Sequence, residues 1–312
     1  MNERHARDVT WLEAFETARP LAPTWSDEDR AWADRVALEA VTSEAPAEVF
    51  VADRARHALQ RLGPREPALE RIAGAATWRS GWIRVVVLVA FVLGVAADAI
   101  GSAQRINLLA PPLWGVLLWN AVVYAALLVW PLVRLVRRAP NKPGTIVRAM
   151  EALLRTSRRL PRASAAGSAA AIRRFASLWI ERSGALAALR AETVLHAGAA
   201  ALALGFVVGI YVRGLVLDYR VVWESTFLDV PAAHAVVTTA FAPAARLATI
   251  ALPDEAAFAA MRATRGDTVV GAPAAPWLHL IALTLLGAVV LPRTLLALGC
   301  GAIAAARMRR FA

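Results

Sequence analysis

The side chains best equipped for chemistry stand close together in RGLVLDYRVVWESTFLD. It sets Arg213, Asp218, Tyr219, Arg220, Trp223, Glu224, Ser225, Thr226 and Asp229 within one short stretch. Arg213, Asp218, Arg220 and Glu224 are expected to form ion pairs, which contribute less than about 1 kcal/mol at an exposed surface and more where partly desolvated. Ser225, Thr226 and Glu224 supply hydroxyls and a carboxylate, but hydrolysis needs a base held against the nucleophile, and no spacing here provides one. The stretch reads as a polar cluster that senses or stabilises rather than one that cuts bonds.

A second group is made of single polar residues inside apolar runs: Asp98, Asn120 and Arg293. Such residues are costly in hydrocarbon and are often functional. Asp98 is expected near the far interface, fourteen residues beyond Arg84 and so roughly 21 Å along a helix. Asn120, mid-run, is expected to hydrogen-bond to a neighbouring helix as structural glue, with a substrate contact as the alternative. Arg293 is expected to snorkel to the cytosolic interface, the alternative being a buried ion pair, for which Asp98 is a poor partner.

Metal and nucleotide chemistry have no footing. The histidines His5, His57, His196, His234 and His279 are scattered, and Cys300 is the single cysteine, expected as a small buried hydrophobe. There is no GxxxxGK[ST], GxGxxG, HExxH or GxSxG motif, so neither a metal site nor a cofactor is expected.

The elements that must position these residues are helices. With 58% hydrophobic residues and a mean hydropathy of +0.49, the 312-residue chain is too apolar for an ordinary soluble domain. It reads as an all-α integral membrane protein with about four transmembrane helices, cytosolic amphipathic helices and an external helical loop. Residues 1–79 form an N-terminal cytosolic helical region without a cleavable leader, its Thr24 to Asp29 run offering a polar N-cap and first-turn acids. Residues 80–132 hold transmembrane helices 1 and 2, the second starting at Pro111 and Pro112. Residues 133–192 form a basic cytosolic helical loop.

Transmembrane helix 3, residues 193–212, has the length to cross roughly 30 Å of hydrocarbon. Its Ala197, Ala201, Gly205 and Gly209 recur every fourth residue and make a small-residue packing seam. Residues 213–276 are an external polar loop in which 231–252 is interfacial or re-entrant. Residues 277–312 make a fourth span, kinked at Pro292, and a basic tail with Arg307, Arg309 and Arg310.

Charge sets the sidedness. Residues 131–192 hold thirteen Lys or Arg against three acids, whereas 213–276 hold five against six. That asymmetry puts the first stretch, and with it both termini, in the cytosol. The basic loop suits anionic lipid and not nucleic acid. Within it, Ile146, Met150, Leu153 and Leu154 line one helical face and Ile172, Phe175, Leu178 and Trp179 another. Either face could lie on a membrane or pack against the N-terminal region.

From Gly205 to Asp229, GFVVGIYVRGLVLDYRVVWESTFLD resembles the bacterial membrane family catalogued as domain of unknown function 2868. RINLL at 105–109 and LPRTLLAL at 291–298 add to the resemblance. The resemblance implies a multi-pass protein of the cell inner membrane, often encoded beside a GTPase-like protein, and carries no activity with it. A non-enzymatic anchor or partner for a cytosolic factor such as a GTPase-like protein is therefore expected. The alternative is an oligomeric small channel or transporter lined by Asn120, Asp98 and Arg293, self-associating through the small-residue face.

Overall fold

The computed structural model describes residues 1–19, 24–66, 81–97, 105–137, 166–263 and 271–311. These residues are mostly helical. The chain divides into two units, one of Met1–Ser80, Asn141–Glu192 and Gly299–Ala312, the other of Gly81–Pro140 and Thr193–Leu298.

The first unit is built on α1 (Glu3–Thr17), α2 (Asp27–Ala40) and α3 (Ala47–Leu62), with a short 3-10 turn after α3. The Asn2 side chain caps α1 by accepting from the His5 amide, and Ser26 and Asp29 form a reciprocal capping box on α2. Against these pack the first turns of α6 (Ala166–Gly214). Trp11 of α1 stacks on Phe175 at 3.6 Å with planes 2° apart, and Trp179 stacks on Phe311 at 5.6 Å. The face of Ile172, Phe175 and Leu178 is thus spent on the N-terminal helices, because two aromatic planes can be covered there at once. The face formed by Ile146, Met150, Leu153 and Leu154 lies outside the described residues.

Several charges in this unit are paired. Asp29, 4% exposed, takes Arg61 Nε and Arg65 Nη1 at 2.7 Å each. Burial pushes its carboxyl up, but hydrogen bonds from Arg65 and Ser26 outweigh that and hold it below the usual carboxylate value. Arg190 grips Glu3 through both amino groups at 2.8 and 2.7 Å, and Arg182 reaches Glu13 at 2.7 Å. Cys300 is only half-buried, its thiol facing the Glu192 carboxylate at 3.6 Å, so it is not the sequestered hydrophobe expected.

The second unit holds α4 (Gly81–Ala97), α5 (Pro111–Arg137), the rest of α6, α7 (Val230–Ala248), α8 (Glu255–Ala259), α9 (Ala275–Leu285) and the start of α10 (Leu291–Arg309). Among the described residues three helices are long and apolar enough to cross a membrane, within Leu113–Trp130, Ser168–Gly214 and Ala275–Arg309. Their mean hydropathies are 1.8, 2.0 and 2.1. The fourth expected span is represented by α4, which is apolar but has 17 residues. The third span is not a separate element: α6 runs unbroken for 49 residues, because no proline interrupts it and Ala is its commonest residue.

Glycine decides how α4 and α6 meet. A Cβ at Gly205 would lie 2.1 Å from the Phe91 carbonyl oxygen, and one at Gly94 would lie 2.1 Å from that of Leu202. The two backbones touch, so neither position admits a side chain. Ala201 is buried on the same helix, and Ala197 is partly exposed.

An all-α reading misses a small sheet of β1 (Arg105–Asn107), β2 (Arg220–Val222) and β3 (Ala272–Pro273). β1 runs parallel to β2 with Ile106 opposite Val221, and β2 is antiparallel to β3. Strands of two or three residues leave little sequence signature, yet they tie together the links that precede α5, follow α6 and precede α9. Beneath the sheet, Trp223, Phe258, Phe241, Trp277 and Val237 form the core of this unit.

The chain at 231–252 resolves into α7, capped by Asp229 and closed by Thr249 in the left-handed conformation (φ 54°). A short extended limb then returns along it, and His234 Nε2 meets the Pro253 carbonyl at 2.9 Å.

Where a kink at Pro292 is expected, the last block has a π-helical turn, Leu286–Val290, just before that proline. Proline cannot donate to the Ala288 carbonyl four residues back, and the Leu291 amide bonds instead to Leu286, five residues back.

Candidate buried polar site

Helix α5 brings Asn120 and Tyr124 to one face, since residues four apart lie one above the other. Opposite them stand His196 of α6 and Arg293 of α10. Asn120, His196 and Arg293 are 5, 6 and 5% exposed.

The hydrogen bonds fix every orientation. A guanidinium only donates, so the atom of Asn120 that receives Arg293 Nε at 2.7 Å must be Oδ1. The other half of that amide, Nδ2, donates to the Val116 carbonyl at 2.8 Å. Likewise Arg293 Nη1, 2.9 Å from His196 Nδ1, requires a lone pair there. His196 is therefore neutral and carries its proton on Nε2. Tyr124 donates to the Ala288 carbonyl at 3.0 Å, the group that Pro292 leaves without its helical donor, and its ring lies 5.4 Å from the Arg293 Cζ. The proline, the π turn and the tyrosine belong to one arrangement that seats Arg293.

Arg293 therefore does not snorkel to a helix end. Its donors find better acceptors inside the unit, on two other helices, than an apolar climb would offer. No carboxylate pairs with it among the described residues. Asp98, the third member of the group expected from sequence, lies outside the described residues. His196 and Tyr124 were missed; their signal was a lone histidine in a small-residue helix and a tyrosine one turn beyond Asn120.

The dense stretch after α6 behaves differently. Arg213 lies in the last turn of α6, its Nη2 2.8 Å from where a Cβ on Gly209 would stand. Asp218 is exposed in the link, and Tyr219 packs on the core beneath the sheet. Arg220 sits on β2 and points outward. Trp223 is fully buried, donating from Nε1 to the Phe258 carbonyl at 2.7 Å and stacking on that ring at 5.1 Å. Glu224 accepts from Asn107 Nδ2 at 3.5 Å. Ser225 Oγ accepts the amides of Phe227 and Leu228 at 3.2 and 3.0 Å, Thr226 is exposed, and Asp229 caps α7.

No ion pair joins Asp218, Arg220 and Glu224 to one another among the described residues. A helix end, a link and a strand point them apart. The stretch builds turns, a cap and a core, and Ser225 is occupied as an acceptor.

No group of three or more His, Cys, Asp or Glu suited to a metal occurs among the described residues. His279 is paired with Tyr211 at 2.7 Å, away from His196. No protein-family model, curated protein or solved structure matches the chain. The chemistry on offer at the buried site is that of a fixed positive charge held by neutral groups.

Proposed function

We propose that the chain is a non-enzymatic bacterial inner-membrane protein of the family it resembles. In this reading it crosses the membrane four times with both termini in the cytosol and anchors a cytosolic factor. The observation that supports this is the first unit, a packed helical body assembled from three stretches that flank or follow the apolar helices. The basic residues within 131–192 suit anionic lipid at the cytosolic surface. Its α2 and α3 expose Leu38 and Val49 among Glu39, Glu44 and Glu48, apolar side chains set among carboxylates of the kind that meet a protein partner. The partner is a cytosolic protein of the GTPase-like kind that the resemblance implies. The chain, tagged and extracted in mild detergent, is expected to co-purify with one such protein, and Leu38→Asp with Val49→Asp to release it. Repeated purification with no cytosolic protein would remove this reading.

The second reading, an oligomeric channel or transporter, is favoured by one observation: Asn120 and Arg293, distant in sequence, meet in a buried cluster. It is tested by flux into proteoliposomes that Asn120→Leu or Arg293→Leu abolishes.

A further inference from the structure

The groups around Arg293 differ in what they have left to offer. A guanidinium has five N–H donors, and Asn120, His196 and the Tyr124 hydroxyl beside it take up at most three of them among the described residues. His196 has used its lone pair on Arg293, so its remaining group is the Nε2–H donor. Asn120 has spent Oδ1 on Arg293 and Nδ2 on its own helix, and the Tyr124 hydroxyl faces the Ala288 carbonyl. The capacity that remains is thus almost wholly donor.

The charge tells the same story. Arginine does not deprotonate in proteins, and an uncompensated cation buried away from water is costly. In the first unit the buried charge Asp29 is met by two arginines, whereas here the described partners of Arg293 are all neutral. The net charge of the cluster among the described residues is one positive unit.

We infer that Arg293, with His196 Nε2–H beside it, is a binding site for a small inorganic monoanion of the halide class. A single negative charge balances the described cluster, and an acceptor-only ligand takes the guanidinium N–H groups that these partners leave. The close packing of Asn120, His196 and Arg293 favours a monatomic ion over a larger oxyanion. This inference goes beyond the anchoring role and names the ligand class of the cluster on which the channel reading rests.

The test is thermal unfolding of the full chain in detergent, titrating sodium chloride against sodium gluconate at constant ionic strength. Chloride is expected to raise the midpoint saturably, by about 2–4 °C per tenfold excess over its dissociation constant. Bromide should act alike, and Arg293→Gln should lose the anion-dependent rise. Should Arg293→Gln fail to fold, Arg293→Lys keeps the charge without the fork and should weaken half-saturation about tenfold. Equal midpoints in chloride and gluconate for the unsubstituted chain, or an undiminished rise in Arg293→Gln, would overturn the site. So would an unshifted half-saturation in Arg293→Lys. Chloride flux into proteoliposomes is a separate readout: a chloride-dependent midpoint without flux upholds the site and removes transport.

Discussion

The two units treat buried charge in opposite ways. In the first, Asp29 is surrounded by Arg61, Arg65 and the cap hydroxyl of Ser26, so the charge is compensated by charge. In the second, Arg293 is seated by an amide oxygen, an imidazole lone pair and an aromatic face, and its charge is solvated but not neutralised. The difference teaches how to separate structure from function here. A compensated pair explains itself as a fastening, whereas a cation held only by neutral acceptors leaves an interaction still to be made. The units also close differently, the first on stacked aromatic planes and the second on touching glycine backbones.

The largest effect should come from breaking that backbone contact. Gly205→Leu puts a side chain where the Phe91 carbonyl stands and is expected to cost more than about 4 kcal/mol, read as loss of a monodisperse folded peak in detergent. Trp11→Ala strikes the corresponding feature of the first unit, the stack on Phe175, and should cost about 3–4 kcal/mol by denaturant titration. If Gly205→Leu proved milder than Trp11→Ala, the contrast between backbone closure and aromatic closure would fail.

Smaller changes address the charges. Asp29→Ala strands two arginines and removes half of a capping box, for about 2–3 kcal/mol, moderated because both guanidinium groups reach solvent. Arg293→Leu removes a charge that no carboxylate pairs with among the described residues and leaves Asn120 and His196 short of a donor, for about 1–2 kcal/mol. Measured together, the two losses should keep that order, and a reversal would mean that Arg293 has a charged partner after all.

Acidity sharpens the same comparison. Because the Asp29 carboxyl is held below its ordinary value of 3.8, its contribution is present in full above that pH. It should fade as pH falls below 3.8 and the folded form takes up the proton. Unfolding midpoints followed from pH 6 to pH 3 should therefore drop less in Asp29→Asn than in the unsubstituted chain. The smallest effect is Asp229→Ala, the loss of one N-cap on α7, at about 1 kcal/mol.

Much of the helical framework was legible in the sequence. Apolar runs, the Pro111 and Pro112 start and the Ser26 to Asp29 cap all act locally, through hydrogen bonds and burial within a few turns. The repeat at Ala197, Ala201, Gly205 and Gly209 likewise announced a face on which another helix could close. The polar stretch after α6 misled because density of charge in sequence is not proximity in space. Once Gly214 ends the helix, a link, a strand and a cap send successive side chains in different directions.

The sequence by itself determined the helices, the small-residue seam and the presence of polar residues inside apolar runs, since each depends on residues a few positions apart. Only the tertiary structure decided that Asn120, His196 and Arg293 share one site. The Arg293 to Asn120 bond spans 173 positions and the Arg293 to His196 bond 97, and no periodicity carries over such separations. They meet because three helices must bury their apolar faces together, and the π turn before Pro292 immediately precedes Arg293, whose described acceptors are neutral.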